Sequence, residues 1–195
     1  VHRGAPRALL AGVALGLAGL IALPDWNRAY LTTGFYRLRG LDAATAGLMY
    51  GALIVFSVPM PLIAGWLSDR LGRKPLIIVA YLGGAVGFAI FILAGSSTVW
   101  LWVGIFVMGL FSFAESPQLQ ALLADISPPA TRDASYALYF TLAFGIGSLW
   151  VALYGVIIDA MGNATGIPAV FALMGLSFIA AALATLPINA SIART

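Results

Sequence analysis

The chain has 195 residues, of which 62% are apolar and only 9% charged, where an ordinary globular domain carries about 25% charged residues. A soluble fold of this size cannot hide that much apolar surface, the lack of Cys excludes a disulfide-stapled domain, and ten scattered Lys or Arg with a net charge of +3 are too few for a stripe that tracks nucleic acid. What remains is a polytopic membrane protein with the lipid bilayer as its solvent.

A helix that crosses a bilayer needs roughly 20 mostly apolar residues. Six stretches meet or approach that length. The first is Ala8–Leu23, which extends past Pro24 toward residue 36. There Asp25 and Arg28 stand three apart on one helical face, close enough to pair. They read either as an interfacial ion pair beside the belt aromatics Trp26 and Tyr30 or as a substrate-binding pair on a cavity wall. The second span is Ala43–Leu67, with Pro59 and Pro61 inside it as expected kinks. The third is Pro75–Ala94. The fourth is Val99–Ala114, continuing through Glu115 to Ala124, with Pro117 as a further kink. The fifth is Ala134–Ile158 and the sixth Gly166–Leu186. The joints fall at Ser68–Lys74, Gly95–Thr98, Asp125–Asp133 and Asp159–Thr165, where breakers or charges interrupt the apolar runs. None of the spans alternates with a period of two, so the fold class is all-α and not a barrel.

Basic residues set the orientation. With the Ser68–Lys74 loop in the cytoplasm and an even number of spans, both termini are cytoplasmic too. Arg3, Arg7, Arg70, Arg73, Lys74, Arg132 and Arg194 then lie inside, and Arg28, Arg37 and Arg39 outside. The expected location is the plasma or inner membrane. The chain begins with Val and reads as a piece of a longer protein. Small residues one turn apart at Gly12/Gly16, Gly47/Gly51 and Gly83/Gly87 offer faces for close helix contact in lipid.

An ionisable residue at membrane depth is costly and is a functional candidate by default. Glu115, near the middle of the extended fourth span and followed by Pro117 and Gln118, is the main one. A carboxyl group that is hard to ionise suits a proton carrier. Gln118 and the Asp25/Arg28 pair complete the candidates for a substrate or proton path. The rival reading of Glu115 is a group that only holds helices together. One His and no Cys leave no metal cluster or nucleophile with a base, so neither an enzyme nor a cofactor is expected.

The most informative stretch is Gly65-Trp66-Leu67-Ser68-Asp69-Arg70-Leu71-Gly72-Arg73-Lys74-Pro75. Asp69 is expected just past a helix C-terminus, where a carboxylate is unfavourable and needs a partner. Gly72 supplies a turn that tolerates positive φ. Pro75 suits the first turn of the next helix. The loop therefore reads as a tight hairpin carrying a carboxylate placed to latch onto something else.

In Gly65, Asp69, Arg70, Gly72, Arg73 and Lys74 the stretch resembles the signature loop of the major facilitator superfamily. The resemblance covers the whole chain as one six-helix half of a twelve-helix bundle built from 3+3 inverted repeats. The family's first half usually carries an Arg inside its fourth helix, and Val99–Ala114 has none. The Phe144–Trp150 stretch lacks the Pro of the first half's fifth-helix pattern. Both departures point to the C-terminal half, with an N-terminal six-helix half missing from this chain. The region Leu122–Arg132 resembles a second cytoplasmic latch, so Asp69, Arg73, Asp125 and Arg132 are expected to form one cytoplasmic charge network.

The resemblance implies a secondary active transporter of a small organic solute, working by alternating access and coupled to protons. A multidrug efflux antiporter of the same superfamily, or a non-transporting membrane subunit or remnant, are the alternatives. The implied partners are the bilayer, the solute, protons and the missing half.

Overall fold

The computed structural model describes residues 10, 13–14, 34–111, 114–146 and 149–188. The first span, with Asp25, Trp26, Arg28, Tyr30 and the Gly12/Gly16 pair, lies outside the described residues, as do Arg3, Arg7 and Arg194.

Every regular element among the described residues is helical. After a helical segment at 34–38, α1 runs Ala43–Ser57. Asp42 caps it, accepting from Thr45 N (2.9 Å) and Thr45 Oγ (2.8 Å). The second predicted span is broken at Val58–Pro59, because Pro59 has no N–H to continue the ladder. α2 then runs Met60–Leu71. α3 is Arg73–Leu93 and α4 is Thr98–Phe111.

The fourth predicted span is not continuous either. α5 starts afresh at Glu115 and ends at Ile126. Pro117 lies in its first turn, where a missing N–H costs nothing. A short 3₁₀ turn, Pro129–Thr131, leads into α6, Arg132–Phe140. The helix widens into a π turn at Thr141–Gly145, and α7 is Leu149–Thr185.

Two joints are shorter than expected. The Ser68–Lys74 loop shrinks to Gly72 alone, at φ 94° and ψ 153°. The expected loop Asp159–Thr165 is helical on both sides of Gly162, at φ 72° and ψ 160°. In a continuous helix, residues eight apart are separated by about 12 Å. A methyl group added at Gly166 would instead sit 2.7 Å from Ile158 Cα. The chain therefore doubles back at Gly162, and α7 consists of two antiparallel arms.

The stretches 43–71, 73–93, 98–126 and 129–185 are long and apolar enough to cross a membrane. Large apolar side chains such as Leu48, Val55, Leu62, Val86, Val99 and Leu183 stand exposed on the outside, as lipid-facing positions do. Trp66 and Trp100 are also exposed, while Trp102 and Trp150 are half-buried.

The core sits around α3. Phe35 and Phe91 stack at 4.3 Å, and Phe171 meets both rings at 5.2 Å. α3 and α4 touch backbone to backbone. A methyl at Gly87 would meet Met108 N at 2.8 Å, and one at Gly104 would meet Phe91 Cα at 2.9 Å. So the Gly83/Gly87 face is a packing face, with Phe111 and Met108 against it. The Gly47/Gly51 face meets nothing within 4 Å among the described residues.

Candidate functional site

The signature hairpin is built from the end of α2, Gly72 and the start of α3. Asp69 is not past the helix end as expected. It lies inside the last turn of α2, which runs on to Leu71. The dipole penalty there is met by Arg73, four residues on, whose Nη1 stands 3.4 Å from Asp69 Oδ1. Arg73 Nε also donates to Asp125 Oδ2 at 2.7 Å, and Nη1 donates to Ser68 Oγ at 2.8 Å. Ser68 Oγ in turn donates to Gly65 O at 2.8 Å. Arg73 thus uses its fork to join α2, α3 and the end of α5, a geometry that a Lys could not reproduce.

Three of the four residues expected in one network therefore meet, through Arg73. Arg132 does not join them. Its Nη2 donates to Ala124 O (3.3 Å) and Ser127 O (3.4 Å), at the C-terminus of α5. The local reason is position: Arg132 opens α6 just after the Pro129–Thr131 turn, beside the last carbonyls of α5. Lys74 plays the same part elsewhere, donating its Nζ to Leu186 O and, at 2.9 Å, to Ile188 O just beyond α7. On the other side of the bundle Arg39 donates to Ile92 O (3.1 Å) and Gly95 O (3.0 Å) after α3. Each of these cations faces a helix C-terminus, where the dipole favours positive charge. Arg70 lies over the Trp66 ring at 4.0 Å, a cation–π contact.

The second group lies at membrane depth. Glu115 and Gln118 are each 3% exposed, Tyr139 1% and Tyr81 0%. Tyr81 comes from α3 and Tyr139 from α6, and both hydroxyls interact electrostatically with Glu115. Gln120 Nε2 donates to Ser116 Oγ at 3.2 Å, and Tyr136 donates to Gln120 O at 2.8 Å. Gln118 Oε1 and the Tyr81 hydroxyl are buried and make no hydrogen bond among the described residues.

Glu115 is buried and opens the first turn of α5, at the positive end of a helix dipole. The sequence pointed to Glu115 and Gln118, but not to Tyr81, Tyr139, Ser116 or Gln120. Hydroxyls in the middle of apolar spans, away from the interfacial belt, were the available signal.

Apolar helices with exposed apolar flanks, an arginine–carboxylate hairpin at one end and a buried Glu115 define a multi-pass membrane protein. Residues 8–191 match the Major Facilitator Superfamily, and the chain belongs to that family of transporters. A Na(+), Li(+), K(+)/H(+) antiporter of Planococcus maritimus is 27% identical over 67% of this chain and 37% of its own length. A dipeptide and tripeptide permease A of Pectobacterium carotovorum subsp. carotovorum is 28% identical over 69% of this chain and 28% of its own. The in meso crystal structure of the POT family transporter PepTSo shares the fold, with a TM-score of 0.75 and 18% identity over 93% of this chain and 37% of that one. The chain spans about a third of the length of these relatives.

Proposed function

We propose that this chain is the C-terminal, six-crossing half of a secondary active transporter. It moves a small organic solute by alternating access and is coupled to protons. The N-terminal half completes the cavity. The chain forms a single bundle of 3+3 inverted repeats in the cell membrane, with both ends cytoplasmic. Rocking one half against the other around a midplane site is the motion such bundles use.

The observation that carries this reading is the burial of the ionisable Glu115 in the same core as Tyr81 and Tyr139. An ionisable group there is expensive to keep unless it does something. A relative described as a cation/H(+) antiporter supports proton coupling. The full-length protein in vesicles, with a Glu115→Gln substitution, tests it. Loss of pH-gradient-driven transport with solute exchange retained is the expected result. Full retention of gradient-driven transport overturns it.

Gln118, with its buried carbonyl oxygen, and the Asp25/Arg28 pair remain candidates for the solute path. The hairpin has a separate role. Asp69, Arg73 and Asp125, with Arg132 beside them, form the cytoplasmic latch that is closed when the transporter faces outward and breaks when it opens inward. Asp69→Asn is expected to shift the population toward the inward-facing state, read by accessibility labelling of a cytoplasmic cysteine probe. An unchanged labelling rate and unchanged transport would remove the latch.

A further inference from the structure

We propose that the Leu62–Trp66–Arg70 side of α2 is a binding site for an anionic phospholipid, with Arg70 on the headgroup phosphate. The site needs only a bilayer around α2 and does not depend on what the protein transports.

Leu62, Trp66 and Arg70 are successive i, i+4 neighbours, so they share one side of the helix. Each is about 6 Å further along the axis than the last. Leu62 is 77% exposed and Trp66 57%, and Arg70 is exposed as well. Their order is that of one bilayer leaflet: an aliphatic side chain at acyl depth, a Trp in the interfacial belt, and a cation at headgroup level. The neighbours of Arg70 set that level. Asp69, Arg73 and Asp125 are joined at this end of the bundle, and Lys74 follows at the start of α3. Arg70 therefore stands at a polar boundary and not in hydrocarbon.

Arg70 differs from the other cations around the hairpin. Arg73 is held by Asp69 and Asp125, Lys74 by the carbonyls of Leu186 and Ile188, and Arg132 by those of Ala124 and Ser127. Among the described residues Arg70 meets only the Trp66 ring, its guanidinium carbon 4.0 Å from the ring centroid. Side chains on a helix lean toward its N-terminus, which lays Arg70 back over Trp66. Contact through the flat face leaves the N–H groups at the guanidinium edge open, and that planar fork matches two oxygens of a phosphate. The stack also holds the side chain in one place before the ligand arrives, which lowers the ordering cost of binding.

The flank below the cation selects a lipid over a free phosphate. Leu62, and Val58 at the break before α2, are both exposed and offer an apolar strip for an acyl chain. A phospholipid fills the apolar strip and the cationic end together, while a soluble phosphate fills only the end.

The test is native mass spectrometry of the full-length protein in detergent micelles, titrated with phosphatidylglycerol or phosphatidylcholine, and with soluble glycerol 3-phosphate as competitor. Arg70→Gln is expected to weaken phosphatidylglycerol binding about fivefold, as loss of one basic residue at an anionic surface does, and to leave phosphatidylcholine binding unchanged. Trp66→Leu, which keeps the apolar cover but removes the stack, is expected to weaken phosphatidylglycerol binding about twofold. Arg37→Gln removes another exposed guanidinium away from this site and is expected to bind as the wild type does. Equal phosphatidylglycerol binding by wild type and Arg70→Gln overturns the site, as happens if another part of the protein covers this side of α2. Equal losses in Arg70→Gln and Arg37→Gln overturn it too, because net charge alone then accounts for the binding. An equal loss of phosphatidylcholine in Arg70→Gln overturns the preference for an anionic headgroup. Glycerol 3-phosphate that displaces the lipid at equal concentration overturns the lipid as the occupant.

Discussion

Arg73 Nε donates to Asp125 Oδ2 at 2.7 Å, tying the first turn of α3 to the last full turn of α5. The two residues are 52 positions apart in the chain, so the bond fixes tertiary structure and not a local turn. Both side chains are partly open to water, at 26% and 37%. Solvent therefore screens the pair, and its worth is set near the roughly 0.2–1 kcal/mol of exposed ion pairs. A double-mutant cycle with Arg73→Ala and Asp125→Ala, read by SDS-driven unfolding in mixed micelles, is expected to give a coupling energy of about 1 kcal/mol or less. A coupling of zero would mean that the contact contributes only to the transport cycle.

Gly72 and Gly162 share one backbone conformation, with φ near +94° and +72° and ψ near 153° and 160°. That region is closed to residues with a Cβ, at a cost on the order of 1–3 kcal/mol. Gly72→Ala and Gly162→Ala are each expected to destabilise the folded protein by about that amount. Gly155→Ala, at a helical position with open space around it, is the comparison. Equal stability of all three variants would show that the reversals relax without strain.

The α3–α4 crossing predicts a different kind of damage. A methyl at Gly104 would stand 2.9 and 3.0 Å from Phe91 Cα and N and 3.1 Å from Phe91 Cβ, so a side chain there meets backbone and the fixed root of Phe91, not a flexible tip that could swing away. Gly104→Ala is expected to cost about 1–3 kcal/mol, as overpacking does, and to loosen the Phe35–Phe91–Phe171 cluster beyond it. Unfolding midpoints of the variant and the wild type in detergent check this.

Lys74 reaches the carbonyls of Leu186 and Ile188. Lys74→Met keeps the stem and removes the donors. Amide exchange at Leu183–Ile188, measured by mass spectrometry, is expected to quicken several-fold, in line with about 1 kcal/mol for a charge-assisted bond at a helix end. Lys74→Arg is expected to leave the exchange slow.

Asp42 gives a pH dependence outside the membrane. The Thr45 backbone N–H, and then the Thr45 hydroxyl, hold its carboxyl below the usual aspartate range. A carboxyl whose folded value is depressed contributes stability above its unfolded value and loses it as pH falls through the folded one. The start of α1 is therefore expected to stay capped at neutral pH and to fray only in acid, below ordinary aspartate titration. Exchange rates of the Ala44–Ala46 amides across an acid titration check the direction. Asp42→Asn, which caps without titrating, is expected to flatten the curve.

Much of the hairpin was legible in the sequence because its residues are local. Gly72 sits where a positive φ was needed, Pro59 breaks its span, and Asp69 found the cationic partner its position demanded. Gly162 fell inside an expected joint, but nothing in Asp159–Thr165 told that one residue would carry the whole reversal. The contacts made by Lys74, Arg132 and Ser68 were not legible, since each depends on which helix end arrives nearby. The surroundings of Glu115 escaped for a physical reason. In lipid both the inward and outward faces of a helix are apolar, so no polar stripe marks its rotation. The sequence places Tyr81 and Tyr139 in spans, and only packing turns them toward the same carboxyl. The two glycine pairs make the same point: Gly83/Gly87 is covered by α4, and Gly47/Gly51, with the same spacing, is open.

A one-residue link has a mechanical meaning. Two helices joined only by Gly72, or only by Gly162, cannot slide along each other by even one turn, because no slack exists to take up the travel. Each such pair moves as a single stiff lever. Any bending in a working cycle has to be absorbed at the interrupted places within helices, at Val58–Pro59, at Ala114 and at the widened turn of Thr141–Gly145.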